Sequence, residues 1–340
     1  MKRVAVGMSG GVDSSVVAGL LKEQGYDVVG LTMKLMPDSP ESDDAAKVAE
    51  VLGIEHHTVD FSEIFGEMVV DGFIDEYKRG RTPNPCIACN RFLKFGALME
   101  HAVSLGADYV ATGHYARIEE QNGRFLLKKS HAKKDQSYVL YHLTQQQLRH
   151  ILLPVSGMEK SEVRTHAERL LLPVAQKSDS QDICFVPDGD YAGFIKRYTG
   201  LKFEPGCFID ENGSVLGEHK GIIHYTIGQR KGLGVSFGEP LYVTKIDAQN
   251  NTVTLGKGGG RYSAELYADD LNFIPFDRPD EPFRAEVKIR YNDIPKAATV
   301  QMTDKNTAKV EFDEPRKAIT AGQAAVFYDG DTVVGGGTIQ

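Results

Sequence analysis

Gly7-Met8-Ser9-Gly10-Gly11-Val12-Asp13-Ser14 closes an apolar run over residues 4–8 and opens onto Ser15-Val16-Val17-Ala18-Gly19-Leu20-Leu21-Lys22, whose apolar residues recur at helical spacing. A buried strand, a glycine-rich loop and a helix are predicted in that order, with exposed N–H groups at the helix start turned toward an anion. Two glycines let backbone approach oxygen closely. Two hydroxyls and a carboxylate stand beside them, more than a turn serving only strand–helix packing requires. The stretch reads as a pyrophosphate cradle. A Walker loop would need Gly-x-x-x-x-Gly-Lys followed by Ser or Thr, and no lysine occurs between Lys2 and Lys22. Transfer of a γ-phosphate is therefore not its chemistry.

Outward from the loop, strands alternate with helices. Residues 27–33 read as a second strand, 43–52 as a helix closed by Gly53, and 56–61 as a third strand. Phe92, Phe95, Met99, Ala102 and Val103 recur at helical spacing, Gly106 ends that helix, and residues 108–112 form a strand running into Gly113-His114. This is the pattern of an α/β doubly wound parallel sheet. Ligands of such sheets bind at the carboxyl ends of strands, so residues 9–14, Met33 and Gly113-His114 are expected to converge there; Met33 reads equally well as plain core. Beyond residue 199 the sequence becomes short strands punctuated by Asn212-Gly213, Gly217, Gly228, Gly232, Gly234 and Asn250-Asn251, with a second break at Gly258-Gly259-Gly260. Alternation over residues 283–291 and the Asp329-Gly330 turn predict an antiparallel β-barrel. Three domains are expected: a catalytic α/β domain over 1–198, a small β domain over 199–262, and the barrel over 263–340.

The 340 residues, 41% hydrophobic and 25% charged, suffice for several proper cores. Basic Met1-Lys2-Arg3 precedes an apolar run too short for a secretory signal, and no later run has membrane-spanning length; a cytoplasmic protein with no membrane partner is expected. A net charge of −8 excludes a generic nucleic-acid binder, so a polynucleotide partner must meet a local basic surface. Lys128-Lys129-Ser130-His131-Ala132-Lys133-Lys134, Arg230-Lys231, and Lys288 with Arg290 are such surfaces, each of which also reads as a solvated face.

Cys86, Cys89, Cys184 and Cys207 are too few for a disulfide framework and suit a reducing compartment. Arg81-Thr82-Pro83-Asn84-Pro85-Cys86-Ile87-Ala88-Cys89-Asn90 sets two prolines before a Cys-x-x-Cys at a helix start. There the positive helix end, helped by Arg91 or Lys94, is expected to lower a thiol pKa. Cys184 lies in Ser180-Gln181-Asp182-Ile183-Cys184-Phe185, distant in sequence yet available as a reactive partner. Several readings stand: a reactive thiol pair, a structural zinc site lacking its second Cys-x-x-Cys, a thioredoxin-like pair that leaves the phosphate loop unexplained, and a 4Fe-4S cluster on Cys86, Cys89 and Cys184 with one open iron. Cys207, in a turn-rich region, reads as structural.

Ser-Gly-Gly-x-Asp-Ser resembles the PP-loop of N-type ATP pyrophosphatases, the adenine nucleotide alpha hydrolase-like enzymes that attach AMP to an oxygen and release pyrophosphate; Asp13 would then help place Mg²⁺. The loop is followed in order by Asn84-Pro85-Cys86-Ile87-Ala88-Cys89-Asn90, Gly113-His114-Tyr115-Ala116, Lys134-Asp135-Gln136-Ser137-Tyr138, Ser180-Gln181-Asp182-Ile183-Cys184-Phe185 and Tyr225-Thr226-Ile227-Gly228-Gln229-Arg230-Lys231-Gly232-Leu233-Gly234. Along nearly the entire chain this set resembles the bacterial tRNA-specific 2-thiouridylase family. The resemblance implies adenylation of the C2 oxygen of a wobble uridine by ATP, then attack at C2 by a cysteine persulfide charged by another protein. By the same carry-over Cys184 holds the persulfide and Cys89 is the second catalytic thiol, ending in a Cys89–Cys184 disulfide. ATP would bind Gly7, Met8, Ser9, Gly10, Gly11, Val12, Asp13, Ser14, Met33 and Gly113. Asn84, Pro85 and Cys86 would contact the target base. His114, Lys134, Asp135, Gln136, Arg290, Tyr291 and Gln323 would contact the anticodon region of tRNA. The chain departs from the family pattern in two places: only residues 36–42 occupy a position where relatives commonly carry a longer insertion, and Cys86 stands where others can have Asp. A third thiol keeps open the same reaction run on an iron–sulfur cluster with sulfide. Two further readings compete: a PP-loop synthetase or amidotransferase acting on a small molecule, and a non-enzymatic RNA-binding or iron–sulfur module with a vestigial loop.

Overall fold

The computed structural model describes all residues except 37–40, 179–182, 235–237 and 259–261. The motif residues Ser180-Gln181-Asp182, most of the short 36–42 segment and the break at Gly259-Gly260 therefore lie outside, or partly outside, the described residues.

In β1 (Arg3–Gly7) Val4, Ala5 and Val6 are fully buried, the continuous apolar run of a parallel strand covered on both faces. Its neighbours are β2 (Asp27–Lys34), β3 (Glu55–Asp60) and β4 (Tyr109–Ala111). After a hairpin of β5 (Ala116–Gln121) and β6 (Arg124–Lys129) the chain returns as β7 (Ile151–Leu152). The order is β3-β2-β1-β4-β7, with every pair parallel. Val4, Val6 and Val28 face one layer with α1 (Val12–Glu23), α2 (Glu41–Leu52) and the helix Lys160–Arg169. Ala5, Val29 and Leu31 face the other layer, with helical residues 62–78 and 85–104.

That second layer continues into the middle sheet, made of β8 (Gly206–Ile209), β9 (Val215–His219), β10 (Tyr242–Asp247) and β11 (Thr252–Gly256) in the order β10-β11-β8-β9. Phe208, Val243 and Val253 share one core with Phe73 and Leu93.

The C-terminal strands are β12 (Tyr262–Phe273), β13 (Phe283–Lys288), β14 (Lys296–Met302), β15 (Ala308–Lys317), β16 (Ala324–Asp329) and β17 (Thr332–Ile339). They run β12-β15-β14-β13-β16-β17, and β17 pairs back onto β12, closing the antiparallel barrel the alternation predicted. Closure depends on Gly335-Gly336-Gly337: a Cβ on Gly335 would collide with the Asn272 carbonyl oxygen, and one on Gly337 would stand 2.5 Å from that of Asp269. The β5–β6 hairpin, which alternation across residues 116–129 did not announce, leaves the parallel sheet and pairs with β17 through Lys128 and Thr332. Lys128 there pairs with Glu119 and Asp331, and Lys129 donates to the Gly330 carbonyl at 2.8 Å. The lysines at the head of the first basic stretch thus join the hairpin to the barrel.

Candidate nucleotide and thiol site

The loop after β1 is held from both sides. The Met8 N–H donates to Leu31 O at 2.8 Å, the Ser9 N–H to Ser14 Oγ at 3.2 Å, and Ser15 Oγ–H to Gly11 O at 2.8 Å. Gly11, extended, precedes α1, and no side chain among the described residues caps the helix; N–H groups of its first turn are left for an anion. Gly113, just beyond β4, packs against this turn so closely that a Cβ there would lie 2.8 Å from Ser14 N and 2.9 Å from Asp13 Cβ. Met33, half-buried near the end of β2 and two residues beyond Leu31, packs against the core. The loop, Met33 and Gly113 therefore share the carboxyl edge of the sheet.

Asp13 is the electrostatic centre of the loop. Tyr115 O–H and Lys160 Nζ donate to its Oδ1 at 2.8 and 2.6 Å, and Lys134 Nζ donates to Oδ2 at 3.2 Å. Lys177 Nζ donates to Gly10 O at 3.0 Å and to Asp44 at 2.8 Å, and its ammonium holds the Asp44 carboxyl below the usual range. Three lysines thus reach a loop that has none of its own. Lys160 and Lys177 carry no local signal of this role, because they come from segments 147 and 167 residues away from the loop residues they bond. Mg²⁺ that serves a nucleotide binds through one or two carboxylates, substrate phosphates and water. Asp13, a single carboxylate at the phosphate loop, fits that donor set.

The thiol helix begins where expected. Asn84 caps it by accepting the Cys86 N–H at 3.1 Å, and Pro85 occupies the first turn. The preceding loop is tied to the barrel and middle domain: Thr82 N–H donates to Ala321 O at 2.9 Å, Gln323 Nε2 to Thr82 O at 2.7 Å, and Thr82 Oγ1 to Thr226 Oγ1 at 3.4 Å. Cys86 is reached by solvent, whereas Cys89, one turn deeper, is only 8% exposed. The expected lowering of the thiol pKa is not what the site produces. Desolvation pushes both thiols up, and Lys94 offsets this only in part. Cys86 has a solvent-facing edge but protein around the rest, and burial outweighs one nearby ammonium. Arg91, the other proposed activator, pairs instead with Asp270. Asn90, 3% exposed, donates to Val139 O at 3.1 Å and leaves its Oδ1 without a partner among the described residues.

Cys184 is exposed, but Phe185 beside it is buried among Phe65, Phe73 and Phe194. That core also contains Cys89, so the packing brings the Cys184 segment to the thiol layer. No disulfide joins Cys89 and Cys184 in this structure, and among the described residues no three His, Cys, Asp or Glu side chains are placed to hold a metal; Cys86, Cys89 and Cys184 are not assembled as cluster ligands. Cys207 lies on strand β8, exposed, rather than in a turn.

The residues expected to touch RNA divide into two groups. Gln136 Oε1 accepts from Tyr115 N–H at 3.0 Å, Tyr291 O–H donates to Asp135 O at 3.3 Å, and Lys288 lies over the Tyr138 and Tyr291 rings. Burial raises the Tyr291 pKa, helped by Asp135 and Cys86, and Tyr291 packs against the same core as Ile87 of the thiol helix. Asp135, Gln136 and Tyr291 therefore meet where the α/β domain packs against the barrel, and Lys134 of the same segment reaches Asp13. Arg290 and Gln323 are engaged in holding the fold, on Ala318 O and Thr82 O respectively. His114 is buried, 7% exposed, and bonded to Thr112 Oγ1 at 2.8 Å. Desolvation, then Lys94 and Lys134, hold its pKa well below the ordinary value, so it is neutral. A cavity of about 370 Å³, lined by Asn84, Pro85, Arg91 and Phe92 among others, adjoins the same helix, and neither thiol lines it.

A parallel sheet with an uncapped, lysine-flanked phosphate loop after its central strand, followed by two β units, defines a pyrophosphate-loop nucleotide-binding protein. The family described as "tRNA methyl transferase HUP domain" matches residues 2–188, "tRNA methyl transferase PRC-barrel domain" 192–257, and "Aminomethyltransferase beta-barrel domain" 263–339. The chain is 52% identical to the tRNA-specific 2-thiouridylase MnmA of Acetivibrio thermocellus over 356 aligned residues, covering 100% of this chain and 99% of that one. It is 51% identical to the protein of the same name from Clostridium acetobutylicum, again over 100% and 99% of the two chains. It belongs to the tRNA-specific 2-thiouridylase family. Among solved structures, a 4-thiouridine synthetase–RNA complex with bound ATP aligns at 17% identity and a TM-score of 0.40, over 56% of this chain and 46% of that one.

Proposed function

We propose that this protein uses ATP to convert the C2 carbonyl of a tRNA wobble uridine to the thiocarbonyl. The observation that carries this reading is the placement of Gly113-His114: a Cβ on Gly113 would stand 2.8 Å from Ser14 N in the phosphate loop, and the His114 ring lies 5.9 Å from that of Phe95 on the helix that carries Cys86 and Cys89. Phosphate loop and thiol helix thus pack against one short segment, which supports a reaction that activates an oxygen and then displaces it with sulfur at one place.

The uridine C2 oxygen attacks the α-phosphorus held at residues 7–14, and pyrophosphate leaves with the electron pair of the broken bond. The terminal sulfur of a persulfide on Cys184 then bonds to C2. As Cys89 thiolate attacks Cys184 Sγ, the sulfur–sulfur bond breaks toward the substrate sulfur and AMP departs. The product is 2-thiouridine with a Cys89–Cys184 disulfide, which an external dithiol must reduce before the next turnover. The thiol pKa values, raised by burial and offset only in part by Lys94, leave deprotonation to depend on the bound substrate. Asp13 would hold Mg²⁺, which when bound would neutralise charge at the phosphates. A persulfide-carrying protein loads Cys184. The anticodon nucleotide, already single-stranded, enters the site at modest cost, with Asn84, Pro85 and Cys86 at its target base. The catalytic unit spans 1–198, the middle unit 199–262 and the RNA-facing barrel 263–340. No helix of the described residues is long and apolar enough to cross a membrane, and a tRNA substrate is consistent with a reaction in the cytoplasm.

The test is a reconstituted reaction with defined tRNA, ATP and either a persulfide donor or sulfide, with and without iron. AMP and 2-thiouridine formed together, from persulfide without iron, are the expected result; thiolated tRNA without AMP removes the adenylation step.

A further inference from the structure

We propose that Lys160 and Lys177 are the cations that hold the β- and γ-phosphates of ATP on the loop and neutralise pyrophosphate as it leaves. This rests on the reading of residues 7–14 as an ATP site.

The two ammonium groups flank the loop, Lys160 Nζ 2.6 Å from Asp13 Oδ1 and Lys177 Nζ 3.0 Å from Gly10 O, with the uncapped first turn of α1 beside them. Both are held in place by their surroundings. Lys160 opens a helix fixed by a reciprocal cap, in which Glu159 N–H donates to Glu162 Oε2 at 2.6 Å. That helix packs Val163 and Ala167 into the same core as Val16 and Val17 of α1. Lys177 is anchored by Asp44 at 2.8 Å. Lys134 serves differently, its ammonium over the Tyr115 ring and its neighbours Asp135 and Gln136 facing the barrel.

Adenylation forms a bond from the nucleophilic oxygen to the α-phosphorus and breaks the bond from that phosphorus to the bridging oxygen. The electron pair goes to pyrophosphate, so negative charge develops on the β side, where fixed cations lower the barrier. Asp13 holds Lys160 in place before ATP arrives. Were Asp13 to take Mg²⁺, the Lys160 ammonium would be freed beside the loop to meet a phosphate oxygen.

The discriminating measurement is the ratio of ATP to AMP affinity, read by calorimetry on the full-length protein with Mg²⁺, for wild type, Lys160→Met, Lys177→Met and Lys160→Arg. AMP lacks the two phosphates in question. Each Met variant is expected to weaken ATP about tenfold, the scale of one lost charge-assisted hydrogen bond, to leave AMP nearly unchanged, and to lose competition by inorganic pyrophosphate; Lys160→Arg recovers part of the loss. Equal weakening of ATP and AMP makes the lysines supports of the loop and overturns the proposal, as does unchanged ATP binding in both Met variants. Failure of the wild-type protein to bind ATP at all instead brings down the reading of the loop, and this proposal with it.

Discussion

A Cβ on Gly113 would stand 2.8 Å from the backbone nitrogen of Ser14. The residue just beyond β4 is thus fitted against the first turn of α1, whose N–H groups would face a phosphate, and the nearest atom it meets is backbone, which cannot swing aside. Gly113→Ala is expected to weaken ATP binding about tenfold or more and to cost about 1–3 kcal/mol of stability, the usual penalty of overpacking. Calorimetry with ATP and a thermal melt check both. Full ATP affinity in the variant means that the close approach is not what shapes the turn.

Lys94 acts on both thiols, lowering pKa values that burial raises. Lys94→Met is expected to shift the pH midpoint of alkylation of Cys86 and Cys89 upward, as measured by mass spectrometry of iodoacetamide-treated protein from about pH 7 to about pH 10, a range that brackets the ordinary thiol pKa. A midpoint unmoved or lowered excludes Lys94 as the thiolate's partner. Folding stability follows the same groups. The native Cys89 thiol keeps its proton above the ordinary thiol value of 9.0, where the unfolded thiol gives it up, so native protein binds more protons and this contribution falls as pH rises past that value.

His114 is buried and His142 half-buried with its side chain only 8% exposed, their pKa values held down by desolvation, that of His142 to about 4. The unfolded imidazoles take protons from about pH 6.5 downward while the native ones do not. Stability is therefore full above that value and declines as pH falls from about 6.5 toward 4. Urea denaturation at about pH 7.5, 6 and 5, spanning the unfolded imidazole titration, should show the decline, and His142→Gln should flatten it. An identical slope in the variant assigns the acid sensitivity elsewhere.

Phe185 packs edge-on to Phe65 and Phe73 and carries Cys184 beside it. Phe185→Ala should destabilise the protein by about 3–5 kcal/mol and reduce thiolation far more than pyrophosphate exchange with ATP, because the segment proposed to carry the persulfide loses its anchor. Parallel losses in the two assays would count against a positioning role.

Cys184→Ser is expected to abolish 2-thiouridine formation and leave tRNA affinity near wild type, whereas Cys89→Ser should permit loading of Cys184 with persulfide sulfur but block its release. Nucleoside mass spectrometry and gel-shift titration separate these steps. Retained thiolation in Cys184→Ser takes that thiol out of the mechanism.

Local sequence carried the strand–loop–helix at residues 3–23 and the start of the thiol helix, because glycine placement, Asn84 capping and apolar spacing act within a few residues. The barrel was legible from alternation such as that of Ala285 and Val287. The β5–β6 hairpin's attachment to β17 was not, because Lys128 and Thr332 pair across most of the chain and leave no local periodicity. The thiol environment departs from its expectation for a related reason. A helix start and a nearby lysine can be read from the chain, but the depth at which Cys89 is buried cannot.

By itself the sequence determined the class of chemistry: a phosphate cradle without its own lysine, thiols at a proline-led helix start, and a parallel sheet succeeded by β units. Only the tertiary structure decided which charges reach that cradle, bringing Lys134, Lys160 and Lys177 onto Asp13 and Gly10, and which of the residues expected at RNA also bond within the fold, as Gln323 does to Thr82. The physical reason is range. Backbone propensity and capping act over one or two turns, whereas electrostatics and burial depend on distances through space that the chain sets only when every layer has packed.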